Sequence, residues 1–128
     1  MEMNWEYFEQ GPVEDRSERI WVTLNTRGNF FMNRRAHEAL GRPERVVMMY
    51  DRRRSVIGIA AANHGQTGAF TLKRKETKGH GSRVLYASNF CRTYAISPDE
   101  TLQFTGAEVD KAGVLVLDLN EVKSAKRV

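Results

Sequence analysis

Apolar and polar side chains alternate from Ile20 to Leu24. Ile20, Val22 and Leu24 fall on one side of the chain, Trp21 and Thr23 on the other. A period of two predicts a strand. The following NTRGN (Asn25 to Asn29) has two residues, Asn25 and Gly28, that tolerate the backbone angles of a tight hairpin. NFFMN then returns as a short strand, with Phe30 and Phe31 on opposite faces. Asn33 suits a helix N-cap, and RRAHEALG spans two turns with Ala36, Ala39 and Leu40 on one face. Gly41 suits a left-handed C-cap, and Pro43 stops the helix. RVVMMYD reads as a strand, DRRRS as a polar turn and VIGIAA as a strand. NHGQTG (Asn63 to Gly68) ends the pattern.

The same order of elements then recurs. AFTLKRK predicts a strand, ETKGHGS a glycine-rich connection and RVLYA a strand. SNFCRTYAI predicts a short helix capped by Ser88. TLQFTGAEV, DKAG and VLVLDL predict strand, turn and strand. Pro43 corresponds to Pro98 at an offset of 55, and Val56-Ile57 to Val114-Leu115 at an offset of 58. A unit of two hairpins and a two-turn helix buries little surface alone, so two units are expected to share one core about a pseudo-two-fold axis. The expected fold is mainly β with short helices: tandem β-β-α-β-β halves forming a pseudo-two-fold swapped-hairpin-like barrel. The boundaries expected are an acidic arm over residues 1–18, a first half over 19–67, a second over 68–121 and a basic, frayed tail over 122–128, with both halves in one domain.

The 128 residues and 41% apolar content suffice for one modest core. No apolar run reaches the ~18 residues that a membrane span requires. The first fifteen residues lack the basic start and apolar stretch of a signal peptide, so a cytoplasmic location with no membrane partner is expected. One cysteine, Cys91, excludes an intrachain disulfide and reads as a buried small hydrophobe.

Charge changes the picture more. Residues 1–15 carry five acids and no base, whereas residues 16–92 carry sixteen bases against five acids. Ten of those bases lie between Arg16 and Arg54, and all ten are arginine. A body this basic attracts polyanions, and arginine suits bidentate contact with phosphate or guanine.

The stretch Leu24 to Gly41 resembles the first module of the AbrB/MazE/MraZ superfamily of swapped-hairpin transcription factors and antitoxins, L-D-x-K-G-R-x-x-I-P-x-x-x-R-x-x-L-G. Leu24, Gly28, Leu40 and Gly41 match without a gap; Asn25, Arg27 and Met32 are mild changes. Asn29, Asn33 and His37 depart from it, replacing a basic residue, a proline and an arginine. The close match covers residues 22–41, and the tandem order of elements is similar to that of MraZ. The resemblance implies a DNA-binding transcriptional regulator.

In that reading a basic β-surface contacts double-stranded DNA. Arg27 reaches out at the hairpin tip, Arg34 and Arg35 add contacts at the helix start, and Lys73, Arg74, Lys75, Lys78 and Arg83 are the second half's share. Arg52, Arg53 and Arg54 would face a partner protein. A second reading is therefore a protein-interaction module, such as an antitoxin or phage accessory factor, with a homo-oligomer as a further form. A third is a single-stranded nucleic-acid binder that stacks bases on Phe30 or Phe31. No enzyme is expected: His37, His64, His80 and Cys91 lack a metal-ligand spacing, and no nucleophile–base motif stands out. No cofactor or metal is expected. GHGS (Gly79 to Ser82) reads as a hairpin loop rather than an anion cradle.

Overall fold

The computed structural model describes residues 2–9, 19–75 and 81–125. Strands β1 (Val22–Leu24) and β2 (Asn29–Met32) form the first hairpin. Its turn is held by Asn25, whose side-chain oxygen accepts from the backbone N–H groups of Arg27 at 2.9 Å and Asn29 at 3.0 Å. Gly28 completes it at φ +83°, a region that costs a residue with a Cβ.

Helix α1 (Arg34–Ala39) starts at Asn33, whose Oδ1 accepts from the Ala36 N–H at 2.9 Å. Its inner face is Ala36, His37 and Leu40; Ala39, expected there, is exposed. His37 takes the place because its Nε2 donates to the Pro43 carbonyl at 2.8 Å, which satisfies the ring in a buried position.

Strands β3 (Arg45–Asp51) and β4 (Val56–Ala61) pair over six residues. The single strand expected over AFTLKRK is instead two, β5 (Phe70–Thr71) and β6 (Lys73–Arg74). They belong to different sheets, and buried Leu72 lies at the crossing. Strand β7 (Arg83–Tyr86) leads to helix α2 (Ser88–Thr93). Ala87, not Ser88, is the cap residue of α2, and no side chain caps this end. TLQFTGAEV also divides, into β8 (Leu102–Phe104) and β9 (Glu108–Val109), and β10 (Val114–Asp118) follows. The expected frayed tail begins instead with β11 (Val122–Ser124), which pairs with β8. The reason is tertiary: β8 offers an unpaired edge, and Val122 packs against the core.

The strands make two antiparallel sheets. The six-stranded sheet has the order β11-β8-β1-β2-β7-β6, and the five-stranded sheet has the order β5-β3-β4-β10-β9. In each sheet two adjacent strands from residues 19–67 are flanked on both sides by strands from after residue 67, through the β1–β8 and β2–β7 pairs in one sheet and the β3–β5 and β4–β10 pairs in the other. Among the described residues no pairing closes either sheet into the expected barrel, and β5/β6 and β8/β9 step from one sheet to the other.

The core lies between the sheets. Val22, Leu24, Phe30, Met32 and Leu85 face Val46, Ile57, Ile59, Leu115 and Leu117, all of them buried. Phe30 stacks on Phe104 with centroids 6.4 Å apart and planes 13° apart. Burial of such aromatics supplies much of the hydrophobic stabilisation of a domain this small. Cys91 is buried among them, and desolvation raises its thiol above the ordinary value, so it stays protonated. Residues 2–9 form neither helix nor strand, and Trp5, Tyr7 and Phe8 are exposed. Among the described residues no helix is long and apolar enough to cross a membrane.

Candidate nucleic-acid interface

The structure sorts the basic residues into separate groups. Arg34, Arg74, Lys75 and Arg83 share one end of the six-stranded sheet. Arg74 and Arg83 are register partners across β6 and β7, and Met32, two residues before Arg34, pairs with Arg83 on its other side. Gly81 at φ +77° lets the chain pass beside Arg34: a Cβ there would lie 2.7 Å from Arg34 Cγ. Arg74, Lys75, Gly81, Ser82 and Arg83 line a shallow depression at this end. Arg34, Arg74 and Lys75 are exposed; Arg83 is partly buried, with Nη1 donating to the Ser82 carbonyl at 3.0 Å. Four cations brought this close form a local field that favours an anion.

Two acid-base contacts temper that field. Glu38 lies 2.8 Å from Arg42 Nη2 and 3.8 Å from Arg34 Nε. The Arg42 guanidinium, with Arg34 and Arg35 behind it, holds the Glu38 carboxyl below its usual range. His37 sits beneath the cluster. Burial lowers its pKa first, the bond to Pro43 opposes this, and Arg83 and Arg42 lower it further. The ring is thus held neutral and adds no charge to the surface.

Arg27 is elsewhere. It precedes β2 and Arg34 follows it, so the four-residue strand, roughly 13 Å long, separates them. Arg27 lines a depression with Thr26, Gly28, Ser88, Cys91 and Arg92. Its basic neighbour is therefore Arg92, which the sequence reading missed. No local pattern signals it, because the β1–β2 turn meets α2 only in the folded chain. Arg35 is exposed on α1. Lys78, His80 and most of GHGS lie outside the described residues.

Lys73 and Lys75 occupy the face of the six-stranded sheet that points away from the core. Lys73 pairs with Val84, which pairs with Phe31, and the Lys75 ammonium lies 4.8 Å from the Phe31 ring centroid. Phe30 is wholly buried and Phe31 is partly exposed, as the alternation requires.

The DRRR turn engages the C-terminal end of α2. The Arg52 guanidinium lies 5.1 Å from the Tyr94 ring centroid, and Tyr94 packs on Tyr50 at 4.9 Å and on Phe90 at 5.0 Å. The Arg54 N–H donates to Asp51 at 3.2 Å, and its carbonyl accepts from Asn120 at 2.9 Å. Arg52 thus has an intramolecular partner, whereas Arg53 is exposed. Among the described residues no group of three His, Cys, Asp or Glu side chains could hold a metal ion. No family model, no curated protein and no solved structure matches this chain.

Proposed function

We propose that this protein binds double-stranded DNA through the arginine-rich end of its six-stranded sheet, as a small regulator of the swapped-hairpin type. The observation that carries this is the gathering of Arg34, Arg74, Lys75 and Arg83 around Gly81. They come from both halves of the chain, which makes the charge a product of the fold rather than of one basic run. Arg27 and Arg92 form a smaller basic patch across the sheet.

The pseudo-two-fold arrangement has support from two further features. Gly28 and Gly81 both have positive φ, and each lies against the first residue of the other half's helix, Ser88 and Arg34 respectively. The β4–β10 pair is centred on Gly58↔Val116, the same offset of 58 that relates Val56-Ile57 to Val114-Leu115. Two equivalent basic ends spaced along one sheet would suit successive phosphates of a duplex.

Fluorescence anisotropy with a duplex of random sequence, titrated over salt, tests the reading. Affinity should fall steeply with salt, with a slope of about 0.9 per phosphate neutralised. Arg34→Ala with Arg74→Ala should lower both affinity and slope. Arg52→Ala with Arg53→Ala should leave both unchanged. Absence of any duplex binding at low salt sinks the proposal, and the protein-interaction reading then takes precedence.

A further inference from the structure

The outward face of the six-stranded sheet has a composition that its fold does not require. Register fixes which residues share it. Thr23 pairs with Phe31, Phe31 with Val84, and Val84 with Lys73. Trp21 lies two residues before Thr23, and its carbonyl accepts from the Asn33 N–H at 3.0 Å, so it continues the β1 row. Tyr86 lies two residues after Val84 and pairs with Asn29. Residues two apart on a strand point to the same side. Trp21, Phe31 and Tyr86 therefore run diagonally over three neighbouring strands, on one face. Such diagonal neighbours are roughly 7–8 Å apart at Cα, within reach for aromatic side chains.

The aromatics are not spent on the core. Tyr86 is 55% exposed: it pairs with Asn29 on β2, while the β6 pairing stops at Val84. Phe31 is partly exposed, and its only ring partner among the described residues is a cation, Lys75. Trp21 is likewise partly exposed, beneath the Arg19 guanidinium at 5.5 Å. The adjoining edge strand, β6, presents Lys73 on the same side, and Lys75, two residues on, continues that row with its N–H donating to the Ser82 carbonyl at 3.4 Å. On the far side of β1 the face closes, since Gln103 is buried.

We infer that this face binds an unpaired nucleic-acid strand, with bases stacked on Phe31 and Tyr86 and phosphates paired with Lys73 and Lys75. The chemistry of each part fits. An aromatic ring on an open sheet offers a π-face that any base can match, and lysines along the neighbouring edge track a phosphate chain. A duplex would not use these rings, because its bases are already stacked and paired. A base displacing the Lys75 ammonium from Phe31 would free that cation for a phosphate, so the existing contact marks the place where a base fits. The inference rests on the rings and not on the arginine cluster, and it stands whether or not a duplex binds there.

The test uses the full chain with labelled oligo(dT) and oligo(U) of about twelve nucleotides, and a duplex of equal length alongside. Both unpaired strands should bind, with affinity falling as salt rises. A preference between them tells whether DNA or RNA is the better source of the strand. Tyr86→Ala and Phe31→Leu should each weaken binding by roughly tenfold, and Tyr86→Phe should restore it. In a Trp5→Phe background Trp21 is the one tryptophan left, and its fluorescence should fall on binding. Because Phe31 is partly buried, a melting curve accompanies its variant, and exposed Tyr86 carries the result if Phe31→Leu loses fold. Arg34→Ala with Arg74→Ala should weaken the duplex far more than the unpaired strands, which separates the two proposals. Failure of both oligonucleotides to bind at low salt overturns the inference, as does binding that Tyr86→Ala leaves unchanged.

Discussion

Gly28 lies against the first residue of the second helix: a Cβ built on it would stand 2.8 Å from the Ser88 Cα. The hairpin turn of the first half is thus seated on the backbone of the second. That distance is shorter than a real Cβ contact, and neither partner can swing away, since both are main chain. The contact therefore requires glycine for space as well as for its φ of +83°.

Gly28→Ala should destabilise the protein by more than Gly41→Ala. Gly41 has a similar φ, +87°, but nothing within 4 Å of its added methyl. Gly41→Ala should cost about 1–2 kcal/mol for backbone strain alone. Gly28→Ala should cost at least about 1 kcal/mol more, because the turn must lift from α2. Urea unfolding of the two variants measures the difference. Equal losses would show that the turn does not rest on α2 in solution.

Asn33 joins three segments, and its replacement should show it. Its Oδ1 accepts from Ala36 at 2.9 Å and from the Trp21 N–H at 3.2 Å, while its Nδ2 donates to the Arg19 carbonyl at 2.8 Å. Asn33→Ala should cost about 1–2 kcal/mol, the range of a lost N-cap. Asn33→Asp keeps the acceptor and loses only the donor, so it should cost less. Thermal melts in the same buffer rank the three proteins, and an Asn33→Asp variant less stable than Asn33→Ala would contradict the capping role.

His37 should make stability depend on pH in a mildly acidic window. Burial holds its folded pKa below the unfolded value of about 6.5, so the unfolded chain binds the proton more readily. The stability due to neutral His37 is present above that value and is lost as pH falls through the lowered folded pKa. The melting temperature should drop between about pH 7 and pH 5, before carboxylates begin to titrate. His37→Gln should flatten that part of the profile. Arg83→Gln, which removes one of the charges that lowers the pKa, should make the drop shallower. A wild-type melting temperature that is constant over this range would remove the claim.

Truncation after Glu121 should destabilise the fold. It removes β11, whose three residues pair with β8 from Val122↔Phe104 to Ser124↔Leu102. It also exposes the edge beside Phe104, a wholly buried ring that stacks on Phe30. The expected loss is about 1–3 kcal/mol, read from denaturant unfolding. A tail with no structural role would cost nothing when removed, and that outcome would count against the β11 pairing.

Several elements could be read directly from residue order. The Asn25–Gly28 turn, the Asn33 cap, the left-handed Gly41 and the placing of Phe30 and Phe31 on opposite faces all depend on neighbours within about four residues. Local backbone chemistry dictates them whatever surrounds the segment. The two short helices set among strands were legible for the same reason. Where the reading went astray, the deciding partner was distant in sequence. AFTLKRK and TLQFTGAEV each looked like one strand, because alternation does not record a change of sheet. Leu72 became buried at a crossing only because both sheets compete for the flanking backbone. Val122 looked frayed until the edge of β8 gave it a ladder to join. His37 was left out of the helix's inner face because the Pro43 carbonyl that satisfies its ring becomes available only when the chain turns back.

The basic residues follow the same division. Their number and their preference for arginine are properties of the sequence alone, and they make residues 16–92 strongly positive. Which of them act together was decided by tertiary structure. Arg34 and Arg83 are neighbours because β2 and β7 pair antiparallel, while Arg27, only seven positions from Arg34, stands at the other end of the strand. Phe31 was one of two rings the sequence offered for stacking, but the aromatic face itself was not legible in order, since Trp21, Phe31 and Tyr86 align only through the registers of β1, β2 and β7. Short-range sterics and hydrogen bonding act along the chain and so can be read from it. A surface is assembled across the chain, by pairings whose free energy comes from burying apolar faces together, and no single segment contains that information.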